Sequence, residues 1–382
     1  MLNKVGIIGV AQSHFGEESG KSLEELIFQT CNEALVDAGI TIDGVDGIVI
    51  SSNDQVDGRP ISIMVTAGSV GAYQRDLLDV PSSGEHALIL GYMRVLSGNF
   101  ETQLIASWSS LEADDLRTVQ NITCEPIYQR QLGLHDITTN ALQAAAYLSK
   151  YEGAAEGAAQ VVVKNRTWGK KNPRSHLRKG VEAAEVSSSP YVCWPVRRLM
   201  VPPESSGVVA LVIASEKKAK ELDKRQVAWI EGVGWASDTY WMGERDLSRL
   251  TSLEEATIRA YQAAQIKDPM KEIDIAEIQE VTAYHELMSY EALLFCGPGE
   301  ASRLILDGVT GSGGKLPVNL SGGTLSTNPY FASGLVRVAE AALQVMGKAG
   351  EHQLPGVQTG LAQTTSGFAG QNSATFILSN KY

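Results

Sequence analysis

Apolar and polar positions along this chain switch repeatedly between a strand period and a helix period. Lys4 to Val10 (KVGIIGV) is apolar almost throughout and reads as a short buried strand. Ser22-Leu23-Glu24-Glu25 then forms a capping-box pattern, Ser at the cap and Glu three residues on. The helix it opens carries Leu23, Leu26, Ile27, Ala34, Leu35 and Ala38 on one face, and Gly39 ends it. Val45 to Ile50 (VDGIVI) is the next strand. The stretch Val80 to Ala87 (VPSSGEHA) predicts a turn between a buried strand and a helix running to about Leu96, where Ser97-Gly98-Asn99 stop it. Thr102 to Ser107 (TQLIAS) predicts another buried strand.

The same order then returns about 230 residues later. Val227 to Val233 (VAWIEGV) resembles the first strand. Ser252-Leu253-Glu254-Glu255 repeats the capping box letter for letter, and an amphipathic helix follows through Ala264. Ile273 to Val281 matches the stretch from Ile42. Ser333-Gly334 opens an apolar helix through Met346, as Ser83-Gly84 does in the first half. Ser206 to Ser215 and Ser373 to Ser379 close the halves as similar strands. A duplicated β-α-β unit explains this order, and strands alternating with helices predict mostly parallel sheets covered by helices. The expected division is 1–225 and 226–382. Residues at about 111–200 do not fit the repeat and form an inserted segment with helices at Thr139 to Tyr151 and Ala154 to Arg166.

Composition narrows the picture. With 382 residues, 43% apolar and 20% charged, the chain can bury a large core. The formal charge of −12 argues against non-specific binding to nucleic acid or anionic membrane. No apolar run approaches the ~20 residues that cross a bilayer, and the sequence enters a strand pattern directly after Met1-Leu2-Asn3, with no signal-peptide pattern. Cys31, Cys124, Cys193 and Cys296 lie far apart, which predicts neither disulfides nor a metal site and fits the cytoplasm. Against the acidic background, nine cations gather between Lys164 and Arg198: Lys164, Arg166, Lys170, Lys171, Arg174, Arg178, Lys179, Arg197 and Arg198. They read either as a solvated loop or partner surface, or as a site for phosphate, which Arg and Lys suit.

The duplicated halves, the inserted segment and the helix that starts at a turn together resemble the thiolase superfamily. The closer resemblance is to the archaeal and sterol-carrier-type thiolases, the lipid-transfer-protein group. It rests on Val5-Gly6-Ile7-Ile8-Gly9-Val10, on Ala38-Gly39-Ile40 with Val45-Asp46-Gly47, and on Val161-Val162-Val163-Lys164-Asn165-Arg166 with Asn172-Pro173. It continues through Tyr290-Glu291-Ala292-Leu293, Cys296-Gly297-Pro298-Gly299-Glu300, Leu316-Pro317-Val318-Asn319 and Ser321-Gly322-Gly323. The resemblance implies an α/β thiolase fold, two duplicated βαβ halves in a five-layered α-β-α-β-α sandwich with an inserted loop domain. It also implies a dimer or heteromer, a coenzyme A thioester as substrate, and a small zinc-ribbon/OB-fold accessory subunit. The basic loop, Lys170, Lys171, Arg174, Arg178 and Lys179, would then hold the phosphates of coenzyme A.

The catalytic positions depart from the family. A thiolase needs a cysteine thiolate at this helix start, and Pro81 takes its place. Asn328 stands where the Gly-His-Pro motif has its histidine; it donates hydrogen bonds but accepts no proton. The second thiolase cysteine falls around Thr365-Ser366-Gly367. The His-Asp-x-Phe block reads Glu280-Val281-Thr282-Ala283-Tyr284-His285-Glu286, so either Tyr284 or His285 falls in the site. Ser83 is a helix cap or a substitute nucleophile. Glu85 reads as a charge that favours the helix start, and His86 as a packing residue. Tyr330 and Tyr284 would serve the cysteine-free aldolase chemistry known in this group, or else fill the vacated pocket. His285 is the expected acid/base. The resulting expectation is C–C bond cleavage or formation on an acyl-CoA thioester, aldolase-like or Claisen-type, without a cysteine acyl-enzyme. The alternatives are a non-catalytic thiolase-like subunit of a heteromeric acyl-CoA-processing complex, and a scaffold that binds no ligand.

Overall fold

In the computed structural model, which describes residues 4–16, 20–110 and 115–381, β1 (Val5–Gln12) is buried along its whole length. Met1-Leu2-Asn3 lie outside those residues. Its side chains divide between two cores: Ile7 joins the central one and Ile8 an outer one. The strand runs between β7 (Gly207–Ser215) and β8 (Ala228–Ser237), antiparallel to both. On one side the sheet continues as β4 (Thr102–Ser109), β2 (Gly47–Ser51) and β3 (Asp76–Val80). On the other it continues as β11 (Asn372–Ser379), β10 (Thr359–Ser366) and β9 (Ile275–Ile278). The order β2-β4-β7-β1 is mirrored by β9-β10-β11-β8, so the β1–β8 pair is the seam of an internal two-fold.

Parallel pairing holds among β2, β3 and β4 and between β9 and β10. The central pairs are antiparallel, because β7 and β11 return each half to its seam. β3 is not the buried strand expected before Pro81. It lies at the sheet edge, pairs with β2 alone, and is partly exposed along its length.

Helices complete five layers. α1 (Leu23–Ala38) covers the outer face of β1 and β7. α2 (Gly84–Leu96) packs on β2 and β4 and touches the last long helix, which is buried at all fourteen positions. The inserted segment supplies α3 (Leu116–Ile122), α4 (Asp136–Lys150), α5 (Ala154–Gly169) and a hairpin of β5 (Tyr191–Cys193) and β6 (Val196–Arg197). Its apolar residues, among them Ile137, Tyr147 and Val162, join the same core as Leu253 and Leu287 of the second half. There α6 (Thr251–Ala264) covers β8 and β11, α7 (Ala283–Ala292) lies against α5, and α8 (Ser333–Met346) is the buried central helix. Among the described residues, no helix is long and apolar enough to cross a membrane.

Candidate active site

The first turns of α2 and α8 meet in the middle layer. A Cβ on Gly84 would lie 2.9 Å from both Leu335 and Ser107 Cβ atoms, so only glycine lets α2 start this close to α8 and β4. The free N–H groups of both helix starts therefore converge on one place. Above it, beyond the C-terminal ends of β3, β9 and β10, a cleft of ≈ 300 Å³ opens. This is where parallel strands place their sites. Its walls hold Pro81, Ser82 and Ser83 from the start of α2, and Gln279 and Glu280 after β9. Asn328, Tyr330 and Phe331 precede α8, Thr365, Ser366 and Gly367 lie around the end of β10, and Arg117, Asp136 and Ile137 come from the inserted segment.

Three of the expected residues, Ser83, Asn328 and Tyr330, are thus brought together. Ser83 occupies the cap position of α2 but makes no cap hydrogen bond. Its hydroxyl donates instead to Glu85 Oε1 at 2.6 Å. Glu85 is 1% exposed, and its Oε2 has no hydrogen-bond partner. That oxygen lies against Gly334, where a Cβ would come within 2.2 Å. Burial raises the Glu85 pKa, while His86 and Ser83 oppose the shift. The acid expected merely to favour a helix end is therefore a buried carboxyl under the cleft floor, held toward its protonated form. Beside it, Ser82 Oγ lies 3.2 Å from His86 Nδ1.

Asn328 is fixed from both sides. Its N–H donates to Ser205 Oγ at 3.2 Å, and its Oδ1 accepts from Ser333 Oγ at 2.6 Å. The side-chain NH₂ is left to face the cleft. Tyr330 has its phenol pKa raised by burial and by the nearby charge of Asp136, with Gln120 also at hydrogen-bonding range. At neutral pH this phenol keeps its proton.

Tyr284 and His285 do not line the cleft. Both sit on α7, a turn beyond the residues of their block that do reach it, Gln279, Glu280 and Val281. Tyr284 is buried toward the inserted hairpin, where burial and Tyr191 raise its pKa to about 12. His285 is 1% exposed, and burial lowers its pKa to about 4, so it is a neutral core residue at pH 7. Gln279 stands at the cleft instead, its Oε1 accepting from Thr365 N at 3.0 Å. The described cleft lining contains neither cysteine nor histidine. No cysteine substitutes from elsewhere: burial pushes the Cys31 and Cys296 thiols up to about 12.

The basic cluster separates into two sets. Lys164 pairs with Glu286 at 2.6 Å in the interior, and Arg166 is buried as well. Arg174 is half-buried, its guanidinium 3.8 Å from Glu340. Lys170, Lys171, Arg178 and Lys179 stay exposed. The loop carrying them is tied to the cleft wall, since Leu177 N donates to Ser326 O and His176 N to Thr327 Oγ1. Among the described residues no cluster of His, Cys, Asp and Glu is arranged to hold a metal ion.

The paired halves around two converging helix starts are a thiolase-type fold. Residues 234–380 match the family model described as Thiolase C-terminal domain-like. The chain is 26% identical to an acetyl-CoA acetyltransferase of Methanothermobacter thermautotrophicus, over 97% of this chain and 98% of that one. It is also 26% identical to sterol carrier protein 2 of Oryctolagus cuniculus, over 94% of this chain and 69% of the relative. A 17-hydroxy-3-oxo-4-pregnene-20-carboxyl-CoA lyase of Mycobacterium tuberculosis is 26% identical over 91% of this chain and 92% of its own. Among solved structures, an Ltp2-ChsH2(DUF35) aldolase superposes with a TM-score of 0.83 at 21% identity, covering 99% of this chain and 98% of that one. The chain is thus similar along nearly its whole length to archaeal acetyl-CoA acetyltransferases and sterol carrier protein 2, and its second half matches the thiolase C-terminal model.

Proposed function

We propose that this chain breaks or forms a C–C bond in an acyl-CoA thioester without a cysteine-bound acyl group, most simply by retro-aldol cleavage of a β-hydroxyacyl-CoA. The observation that carries this reading is the content of the cleft: hydroxyl and amide donors in place of Cys and His, with a carboxyl group behind each end. The names of the lyase relative and the aldolase neighbour support it.

The chemistry needs three things. The β-hydroxyl must lose its proton, which the Asp136 carboxylate takes with Tyr330 holding the oxygen. The Cα–Cβ pair then passes into the thioester as an enolate, whose oxygen is held by the Asn328 NH₂ and the N–H groups at the start of α2. Finally Cα takes a proton, which Ser83 delivers from Glu85. The products are a shorter acyl-CoA and an aldehyde or ketone, with no oxidant required. Lys170, Lys171, Arg178 and Lys179 would hold the phosphates of coenzyme A. Tyr284 and His285 have no part in these steps. The aldolase neighbour carries a DUF35 partner, which supports an accessory subunit here, and a dimer or heteromer belongs to the same reading.

Incubation with 3-hydroxyacyl-CoA esters, following release of the free carbonyl product, tests this. Tyr330→Phe should lower turnover at least ~100-fold; unchanged turnover would refute the assignment. The absence of Cys and His also favours a second reading, a non-catalytic subunit of a heteromeric complex, whose mark is tight binding of CoA esters with no turnover.

A further inference from the structure

The cleft does not end at Tyr330. Beyond it lies a second chamber of ≈ 180 Å³, which shares Asp136, Tyr330, Phe331 and Gly367 with the first. Its other walls are Val56, Val119, Tyr240 and Phe368, with Gln120 and Gln371 between them and the exposed Gln55 and Thr123 at its rim. Gln120 is 4% exposed. Its Oε1 accepts from Asp136 N at 3.0 Å, which fixes the orientation of the amide. Its Nε2 is buried with no close hydrogen-bond partner, and of its two N–H groups the Tyr330 oxygen at hydrogen-bonding range can take one at most. The buried N–H that remains without an acceptor is costly unless a ligand completes it. At the boundary of the two chambers there is thus an open donor, a protonated phenol and a carboxylate.

We infer that the inner chamber receives the part of the substrate beyond the scissile bond, and that this part is a ring-sized or short branched group whose oxygen bonds to Gln120 Nε2. This rests on the C–C cleavage reading above. The oxygen is the β-hydroxyl, which becomes the carbonyl oxygen of the departing aldehyde or ketone as the Cα–Cβ pair moves to the enolate and the hydroxyl proton moves to Asp136. Gln120 bonds that oxygen before and after the step, because both hydroxyl and carbonyl accept. Size sets the substrate class: a cavity of about 150 Å³ holds one benzene ring. One six-membered ring or a branched chain of similar bulk fills the chamber, and a fused polycycle exceeds its volume.

The test uses acetyl-CoA and 3-hydroxypropanoyl-CoA esters carrying methyl, phenyl or naphthyl at C3. Calorimetry with acetyl-CoA reports the coenzyme site alone. The expected kcat/KM for methyl and phenyl substrates exceeds that for naphthyl at least 100-fold. Val119→Trp should lower the phenyl-to-methyl ratio at least tenfold, with Val119→Phe giving a smaller change in the same direction should the tryptophan not fold. Gln120→Leu should lower kcat more than tenfold with KM changed less than threefold and acetyl-CoA binding retained. Equal use of phenyl and naphthyl esters, or a ratio indifferent to both Val119 variants, overturns the inference while leaving the cleavage reading intact. Failure of acetyl-CoA to bind the wild-type chain overturns both.

Discussion

Glu280 and Glu85 are both buried carboxyl groups beside the same cleft, and they are held in opposite ways. Glu280 accepts from Asn165 Nδ2 and Leu325 N at 2.9 Å and from Asn319 Nδ2 at 3.2 Å. Its neighbour Glu286 is equally committed, to Lys164 Nζ, Asn165 Nδ2 and Asn319 Nδ2. Glu85 has one short hydrogen bond, from Ser83, with His86 and Ser366 as looser neighbours and one oxygen with no close partner. Burial raises both pKa values. For Glu280 the charge of Glu286 adds to it, and the value reaches about 7. A buried polar group with every lone pair engaged is architecture, because any change leaves several partners unsatisfied. A buried carboxyl with one engaged hydroxyl can exchange its proton without dismantling its surroundings.

The largest effect should come from cutting into the saturated network. Lys164→Met leaves the Glu286 charge uncompensated in the interior. Breaking a buried pair in this way costs about 3–5 kcal/mol. Urea unfolding should show that loss, and a loss under about 1 kcal/mol would mean that the network is not held by charge.

The sparse site should behave in reverse. Glu85→Gln removes no ionic partner of the kind Lys164 provides, so stability should move by about 1 kcal/mol or less. Turnover should instead fall about 100-fold, the size of a lost proton carrier. The pH dependence fixes the sign. With its pKa raised, Glu85 keeps its proton to higher pH than an ordinary carboxyl, so the donor form is lost as pH rises through that pKa. The wild-type rate should fall on that alkaline side, and the residual rate of Glu85→Gln should lack the step. Stability follows the same linkage. The folded state binds the proton more tightly, so stability declines from the ordinary carboxyl range near 4.5 upward, and the Gln variant lacks that decline. A Gln variant with wild-type kcat at every pH would place Glu85 with Glu280 as structure.

How far the chain could be read from its letters follows the same division. The duplication was visible because both halves repeat apolar periodicity in order. Ser83, Asn328 and Tyr330, which share the cleft, stand out in the sequence because they flank helix starts that the repeat itself marks. Gln279 was missed because its block was read one turn too late, at Tyr284 and His285. The usable signal was its place directly after the apolar strand ending at Ile278, where parallel strands put their sites. Gln120 and Asp136 lie in the inserted segment, which has no repeat to compare it with. Glu85 reads as a charge favouring a helix start, since burial between two helix starts is a tertiary fact. The Arg174–Glu340 contact is hidden for the same reason, because Glu340 lies on a helix far along the chain.

The two identical capping sequences give the smallest effect and the most direct contrast. At Ser22-Leu23-Glu24-Glu25 the box forms: Glu25 N donates to Ser22 Oγ at 3.2 Å and Ser22 N to Glu25 Oε2 at 3.1 Å. At Ser252-Leu253-Glu254-Glu255 the helix already begins at Thr251, so Ser252 lies inside it. The buried Ser252 hydroxyl donates to Gly370 O at 2.8 Å, drawn by the loop between β10 and β11. Glu255 is left with Arg259 on the surface, 51% and 53% exposed. Glu25→Ala should therefore lose one reciprocal cap bond, about 0.5–1 kcal/mol. Glu255→Ala should lose only an exposed i,i+4 pair, about 0.3–0.5 kcal/mol and less in high salt. Urea unfolding of both variants at low and high salt separates the two cases. The Glu25 loss should persist in salt, because a hydrogen bond to a backbone N–H at a helix start depends on geometry more than on the screened charge of a distant partner.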